Sequence, residues 1–351
     1  MIYFLTFILS LLCSLVLTFW VRNFCIKHSL LDYPNERKIH QTPVPRLGGV
    51  AIFLSIAISL LIAILIDNSL IRDIKPQMLL VVLSGLIIIG LGIYDDLKTV
   101  KPKTKFLFQA IASTILVVAG LRITLFHIPF YGTIHLNWLS YPLTLAWFLI
   151  IINAINLVDG LDGLAAGVSV IASISLLVVG YMLKVNIALL IAASILGSCL
   201  GFLRYNYFPA SIFMGDSGSL FLGYLFALLA VICPIKSYTG MALFVPLLAL
   251  GVPLIEIVIS FFRRLFYGQK LYLADKRHIF HFLMEKGFSH KDTVWLFYLL
   301  SAIFCIMIVG LLSQSYRVAF SLVFLLILTF GLIFVFWYNK TQTEHRAERQ
   351  K

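Results

Sequence analysis

Charge is what this chain has least of: only 12% of its 351 residues are Asp, Glu, Lys or Arg, against 61% that are hydrophobic. A soluble domain carries about 45–50% apolar and about 25% charged residues, so the shortage excludes an ordinary water-soluble fold. Acid is scarcer than base, 15 residues against 27, for a net charge of +12. In a soluble chain that excess would point to nucleic acid; here the basic residues fall into particular loops of a membrane protein, and no nucleic acid is expected. The five cysteines, Cys13, Cys25, Cys199, Cys233 and Cys305, have no CxxC spacing, and four lie in apolar runs. That pattern excludes a redox or zinc motif and leaves small hydrophobes. There is no low-complexity tract, convincing repeat or soluble domain. The first apolar run lacks a charged n-region and a small-residue cleavage site, so it reads as a retained helix, not a signal peptide.

What the chain does have is long apolar runs, at about 2–21, 47–66, 77–93, 105–123, 139–158, 163–183, 187–203, 218–235, 241–262, 293–312 and 318–338. Each is close to the roughly 20 residues a helix needs to cross the hydrocarbon core. The fold class expected is therefore all-α, a polytopic integral membrane protein of about eleven transmembrane helices. Of the 27 Lys and Arg, 21 lie in the alternate segments 22–46, 94–105, 204, 263–292 and 339–351, leaving Arg72, Lys75, Arg122, Lys184, Lys236 and Arg317 opposite. The positive-inside rule makes the basic side cytoplasmic, with the N-terminus out and the C-terminus in. The expected organisation is one multi-helix transmembrane domain, 1–339, and a short basic cytoplasmic tail, 340–351, suited to an anionic leaflet.

Five polar segments, 40–49, 94–105, 153–163, 204–219 and 263–292, all fall on that cytoplasmic side. Asp95 and Asp96 end an apolar run, with Lys98, Lys101, Lys103 and Lys105 after them. Adjacent carboxylates repel, which suits a metal or general-base element as well as a solvated helix end. Asn153, Asn156, Asp159 and Asp162 recur every third residue, so on a helix they sweep around the axis by about 60° per step and cannot all face one way. Gly160 and Gly163 allow the helix to end among them and the backbone to approach a ligand. The stretch Gly215-Asp216-Ser217-Gly218-Ser219 opens an apolar run and is expected to expose helix N–H groups to a phosphate or metal-bound carboxylate; Asp216 is the best metal-ligand candidate. His278 and His281, beside Lys276 and Arg277, suit a diphosphate better than zinc, since no cysteine is near. His40 and Arg46 are weaker candidates of the same sort. Hard carboxylates beside phosphate-binding groups point to Mg²⁺, with Mn²⁺ as the alternative, and to phosphoryl transfer.

Taken together, Asn156 to Ala165 (NLVDGLDGLA), Asp95-Asp96, Phe213 to Ser219 (FMGDSGS) and the Asp275 to His281 loop resemble the polyprenyl-phosphate N-acetylhexosamine-1-phosphate transferases, in order and over nearly the whole chain. The resemblance implies transfer of a sugar-1-phosphate from a cytoplasmic UDP-N-acetylhexosamine to undecaprenyl phosphate, with Mg²⁺, in the bacterial inner membrane, and a homodimer. It implies that Asp216 and Asp95 hold metal, that Asp95 deprotonates the lipid phosphate as base or acts as nucleophile, and that Asp96 supports metal or phosphate positioning. Asn153, Asn156, Asp159, Asp162 and Asn206 would line the nucleotide site, and Arg277, His278 and His281 the sugar or diphosphate. Asp275-Lys276-Arg277-His278 is similar to the branch using UDP-N-acetylglucosamine, which begins O-antigen, enterobacterial common antigen, teichoic acid or capsule synthesis. Phe280 stands where a histidine is usual, which leaves another UDP-N-acetylamino sugar open.

Two other classes compete. A secondary transporter also places acidic residues at Gly-broken helices, but its site belongs near the bilayer midplane and no inverted repeat is seen. A non-enzymatic lipid-binding scaffold accounts for the helices and the basic surface and leaves the acidic groups unexplained.

Overall fold

The computed structural model describes residues 1–34, 42–128, 132–235, 250–266, 279–312 and 321. The described α-helices are α1 (Ile2–Lys27), α2 (Gly48–Ile66), α3 (Met78–Leu97), α4 (Pro102–Val118), α5 (Ser140–Val158), α6 (Leu164–Met182), α7 (Asn186–Asn206), α8 (Gly215–Ile235), α9 (Gly251–Phe266), α10 (Ile279–Glu285) and α11 (His290–Leu312). Eight of them, α1 to α3, α5 to α8 and α11, are long and apolar enough to cross a membrane. The expected spans overlap these eight helices, with ends that agree within a few residues except on α1, which runs past 21 to Lys27. The run expected at 105–123 becomes α4, which starts on Pro102 and ends at Val118, and the described part of the run expected at 241–262 is α9; neither is among the eight. Proline suits a first helical position because its missing N–H would have no partner there. Of the last expected run, 318–338, only residue 321 is among the described residues, and the tail 340–351 lies outside them. Not foreseen were a 3-10 segment, Asn68–Gln77, and two small antiparallel ladders, Leu31–Asp32 with Val44–Pro45 and Leu125–Ile128 with Gly132–His135.

The packing is that of a protein whose solvent is lipid. On α1 the buried positions are Thr6, Ser10, Ser14, Thr18 and Cys25, while Phe4, Leu12, Val16 and Trp20 are exposed. Lipid tails are as apolar as leucine, so burial of large side chains gives no advantage and helices join through small residues and hydrogen bonds. Ser10 and Ser14 donate to the carbonyls of Ser194 and Ser198 at 2.7 Å, and Gly197 and Gly201 let the α1 backbone lie directly against α7. Helix α8 is buried along nearly its whole length and packs against α2, α3 and α5.

The chain gathers its polar loops at one end of this bundle. The N–H groups of Gly48 and Gly49 donate to the carbonyls of Phe213 and Met214, joining the start of α2 to the start of α8. The end of α3 meets the same start through Asp96, and the α5–α6 loop meets the α7–α8 loop through Asp162. At the other end, Tyr3 of α1 donates to Asn186 at the start of α7.

Candidate active site

The centre of the polar end is an ammonium between two carboxylates. Lys105 Nζ, in the first turn of α4, lies 2.8 Å from Asp95 Oδ2 and 2.5 Å from Asp216 Oδ2. The three side chains are 21%, 11% and 22% exposed, so the ion pairs are only partly screened by water. Their positions follow from local structure. Asp95 is fixed at the end of α3 because its other oxygen accepts the N–H of Val100 at 2.6 Å, folding the α3–α4 turn back on itself. Pro102 then starts α4 and brings Lys105 round to face α8.

Asp96 does something different from its neighbour. Its two oxygens accept the N–H groups of Asp216 at 2.8 Å and Ser217 at 3.0 Å, so a carboxylate of α3 caps α8. The open N–H groups expected at the Gly215 to Ser219 helix start are thus already taken up in part, and by a residue 120 positions earlier in the chain. The physical reason is that a helix start needs acceptors and favours negative charge. Gly215 is required here: its φ is +72°, and a Cβ would stand 2.6 Å from the Asp96 carboxylate.

The four residues spaced by three do sweep outward in different directions. Asn153 donates to Gln109 Oε1 of α4 at 2.8 Å and to its own helix at Leu149 O. Asn156 accepts from Ser219 Oγ of α8 at 2.9 Å. Asp159 follows the end of α5, partly buried; withdrawal from solvent, and then the negative charges of Asp216, Asp96 and Asp162, raise its carboxyl well above the usual carboxylate range. Asp162 accepts the N–H of Ala210 at 2.9 Å. Asn206, buried at the end of α7, accepts the N–H of Gly163 at 3.0 Å and donates to Ile212 O.

His281 is on α10, which reaches the α5–α6 loop by laying Phe280 against Gly160 so closely that no side chain fits there. Glu256 of α9, buried, accepts the N–H of Ile279 at 2.9 Å and so holds the start of α10. Arg277 and His278 lie outside the described residues, as does His40. Arg46 is paired with Asp32 beside the Leu31–Asp32 ladder. The structure brings Asp95, Asp96, Asp159 and Asp216 around one centre, turns Asn153 toward α4, and adds Lys105, Ser219, Glu256 and His290, which the sequence did not single out. Lys105 had a signal, since Pro102 marks a helix start, but it was one lysine among four.

A divalent cation suits this donor set. Asp159 stands among other carboxylates, and Lys105 already shows a cation held between Asp95 and Asp216. Among the described residues no three His, Cys, Asp or Glu side chains are arranged as a metal cage. Mg²⁺ needs none, because it keeps several waters and takes one or two carboxylates plus phosphate oxygens.

Residues 78–234, from α3 to α8, match the family described as Glycosyl transferase family 4. The chain is 38% identical over 328 residues to a Bacillus subtilis protein named probable undecaprenyl-phosphate N-acetylglucosaminyl 1-phosphate transferase, covering 93% of this chain and 90% of that one. It is 36% identical over 291 residues to the decaprenyl-phosphate N-acetylglucosaminephosphotransferase of Mycobacterium leprae, covering 76% and 73%. To the phospho-N-acetylmuramoyl-pentapeptide-transferase of Desulfotalea psychrophila it is 31% identical over 302 residues, covering 76% and 79%.

Proposed function

Since the chain belongs to glycosyl transferase family 4, we propose that it transfers N-acetylglucosamine-1-phosphate from UDP-N-acetylglucosamine to undecaprenyl phosphate, releasing UMP. The observation that carries this reading is the Asp95–Lys105–Asp216 trio at the polar end of a membrane-spanning bundle. A lipid phosphate anchored in the bilayer and a water-soluble nucleotide can meet at such a place. Membership of this family sets aside the transporter and scaffold readings.

In the reaction an oxygen of the lipid phosphate forms a bond to the β-phosphorus of the donor, and the bond from that phosphorus to the bridging oxygen breaks, leaving UMP. The two reactants bring several negative charges together, so the task of the protein is to orient them and neutralise charge. Lys105 offers its ammonium to the phosphate oxygens. Asp95, beside it, takes the proton of the lipid phosphate when that phosphate arrives protonated. Asp216 and Asp95 would hold Mg²⁺, which when bound supplies charge neutralisation at the diphosphate. Asp96 keeps Asp216 in place by capping its helix. Asn156 and Asn206, in the last turns of α5 and α7, and Asp159 and Asp162, on the α5–α6 loop, hold the nucleotide, and His281 approaches the sugar-diphosphate from α10.

The loops bearing these groups lie on the side whose segments carry 21 of the 27 Lys and Arg, which supports a cytoplasmic site in the inner membrane. The product would begin a cell-envelope polysaccharide. The test is UMP release by purified protein given undecaprenyl phosphate, Mg²⁺ and a panel of UDP-sugars, including UDP-N-acetylglucosamine, UDP-N-acetylgalactosamine and UDP-N-acetylmuramoyl-pentapeptide. Release with the first and little with the others is expected. No release with any of them refutes the proposal, and release with another alone corrects the donor.

A further inference from the structure

The α5–α6 loop and the α7–α8 loop are joined by two hydrogen bonds of their own, Gly163 N–H to Asn206 and Ala210 N–H to Asp162. A third element touches both. His290, the first residue of α11, accepts the N–H of Asp162 on its Nε2 at 3.2 Å, and its ring stacks on Phe208 with centroids 4.3 Å apart and planes at 26°. An Nε2 that accepts must be unprotonated, so the ring is neutral with its proton on Nδ1, an assignment made from the hydrogen-bond pattern. Two turns further along α11, Tyr298 donates its hydroxyl to Gly163 O at 2.6 Å. The helix thus grips the α5–α6 loop at both Asp162 and Gly163. Among the described residues His290 makes no hydrogen bond or ion pair to Asp95, Lys105 or Asp216. Its influence falls on the nucleotide side of the site and not on the reacting groups.

We propose that His290 is a positioning residue for the nucleotide-sugar donor, tying the loop that carries Asp159 and Asp162 to the loop that follows Asn206. This rests on the transferase reading above, in which those residues hold the nucleotide. Without an acceptor at Nε2, the Asp162 N–H is left unsatisfied beside a partly buried turn, and the loop is freer to leave the donor-binding geometry. The reacting trio is anchored separately, through Val100, Lys105 and Asp96, and stays as it is.

The experiment compares His290→Phe, which keeps a ring against Phe208 and removes the acceptor, with His290→Gln, which restores an acceptor at the end of the side chain. UMP release is measured while UDP-N-acetylglucosamine and undecaprenyl phosphate are varied in turn. For His290→Phe the donor KM is expected to rise about tenfold, the effect of one lost backbone hydrogen bond, with kcat and acceptor KM nearly unchanged. His290→Gln is expected to recover most of the loss. A donor KM unmoved in His290→Phe, equal losses in kcat and acceptor KM, or a Gln variant no better than the Phe variant overturns the proposal. Should His290→Phe fail to purify as a single species, His290→Ala in native membranes is read by the same donor and acceptor titrations and the same criteria. Wild-type protein that turns over no UDP-sugar overturns the transferase reading itself; wild-type turnover with a donor KM insensitive to these variants overturns the role of His290 alone.

Discussion

Removal of the Asp96 carboxylate tests whether a side chain from α3 holds the start of α8. In Asp96→Ala both the Asp216 and Ser217 N–H groups lose their acceptor. Loss of a helix cap costs typically about 1 kcal/mol and up to about 2, and loss of a negative charge facing a helix start adds about 0.3–1 kcal/mol. Asp96 also repels Asp216 and Asp159, and relief of that repulsion works the other way. The expected net loss is about 2 kcal/mol, or roughly thirtyfold in the folding equilibrium. Asp96→Asn should lose about half as much, since its amide oxygen keeps one N–H while its NH₂ faces the other. Turnover should fall in both, because Asp216 moves with its helix start. The assay is thermal unfolding of detergent-purified protein followed by tryptophan fluorescence, ranked wild type, Asn, Ala. An Ala variant that melts like the wild type would refute the capping argument and leave Asp96 with a role in chemistry alone.

Asp216→Asn should abolish Mg²⁺-dependent UMP release while the protein still folds and inserts; near-normal release would sink the assignment of this residue, as would wild-type activity that survives EDTA. Lys105→Met leaves Asp95 and Asp216 without the cation between them and should lower turnover about a hundredfold, in line with loss of one charge-stabilising group; turnover within a fewfold of wild type would show that the lysine only packs. His281→Ala should weaken donor use, raising donor KM more than acceptor KM, and an unchanged rate across UDP-sugar concentrations would make α10 structural.

Much of this was legible along the chain. The apolar runs predict the helices because membrane spanning depends on a local property, twenty or so residues of hydrocarbon in a row. The Asn153 to Asp162 spacing predicts side chains that diverge around a helix end, and the structure sends them to α4, α8, the carboxylate centre and the α7–α8 loop. At the start of α8 the sequence predicts open N–H groups, and two of them, on Asp216 and Ser217, are taken by a carboxylate of α3.

The difference between Asp95 and Asp96 shows where sequence stops. Adjacent residues on a helix point about 100° apart; which one meets an ammonium and which one meets a helix start depends on how α3 lies against α4 and α8. Lys105 is 111 residues from Asp216, and His290 is 128 from Asp162. Hydropathy and the placement of Pro, Gly and charge, all read over a turn or two of chain, settled the class of protein and the places of its long apolar helices. The pairing of each polar group was settled by packing at the polar end of the bundle, where carboxylates and N–H groups largely withdrawn from water take partners within the protein, from whatever part of the chain the bundle brings near.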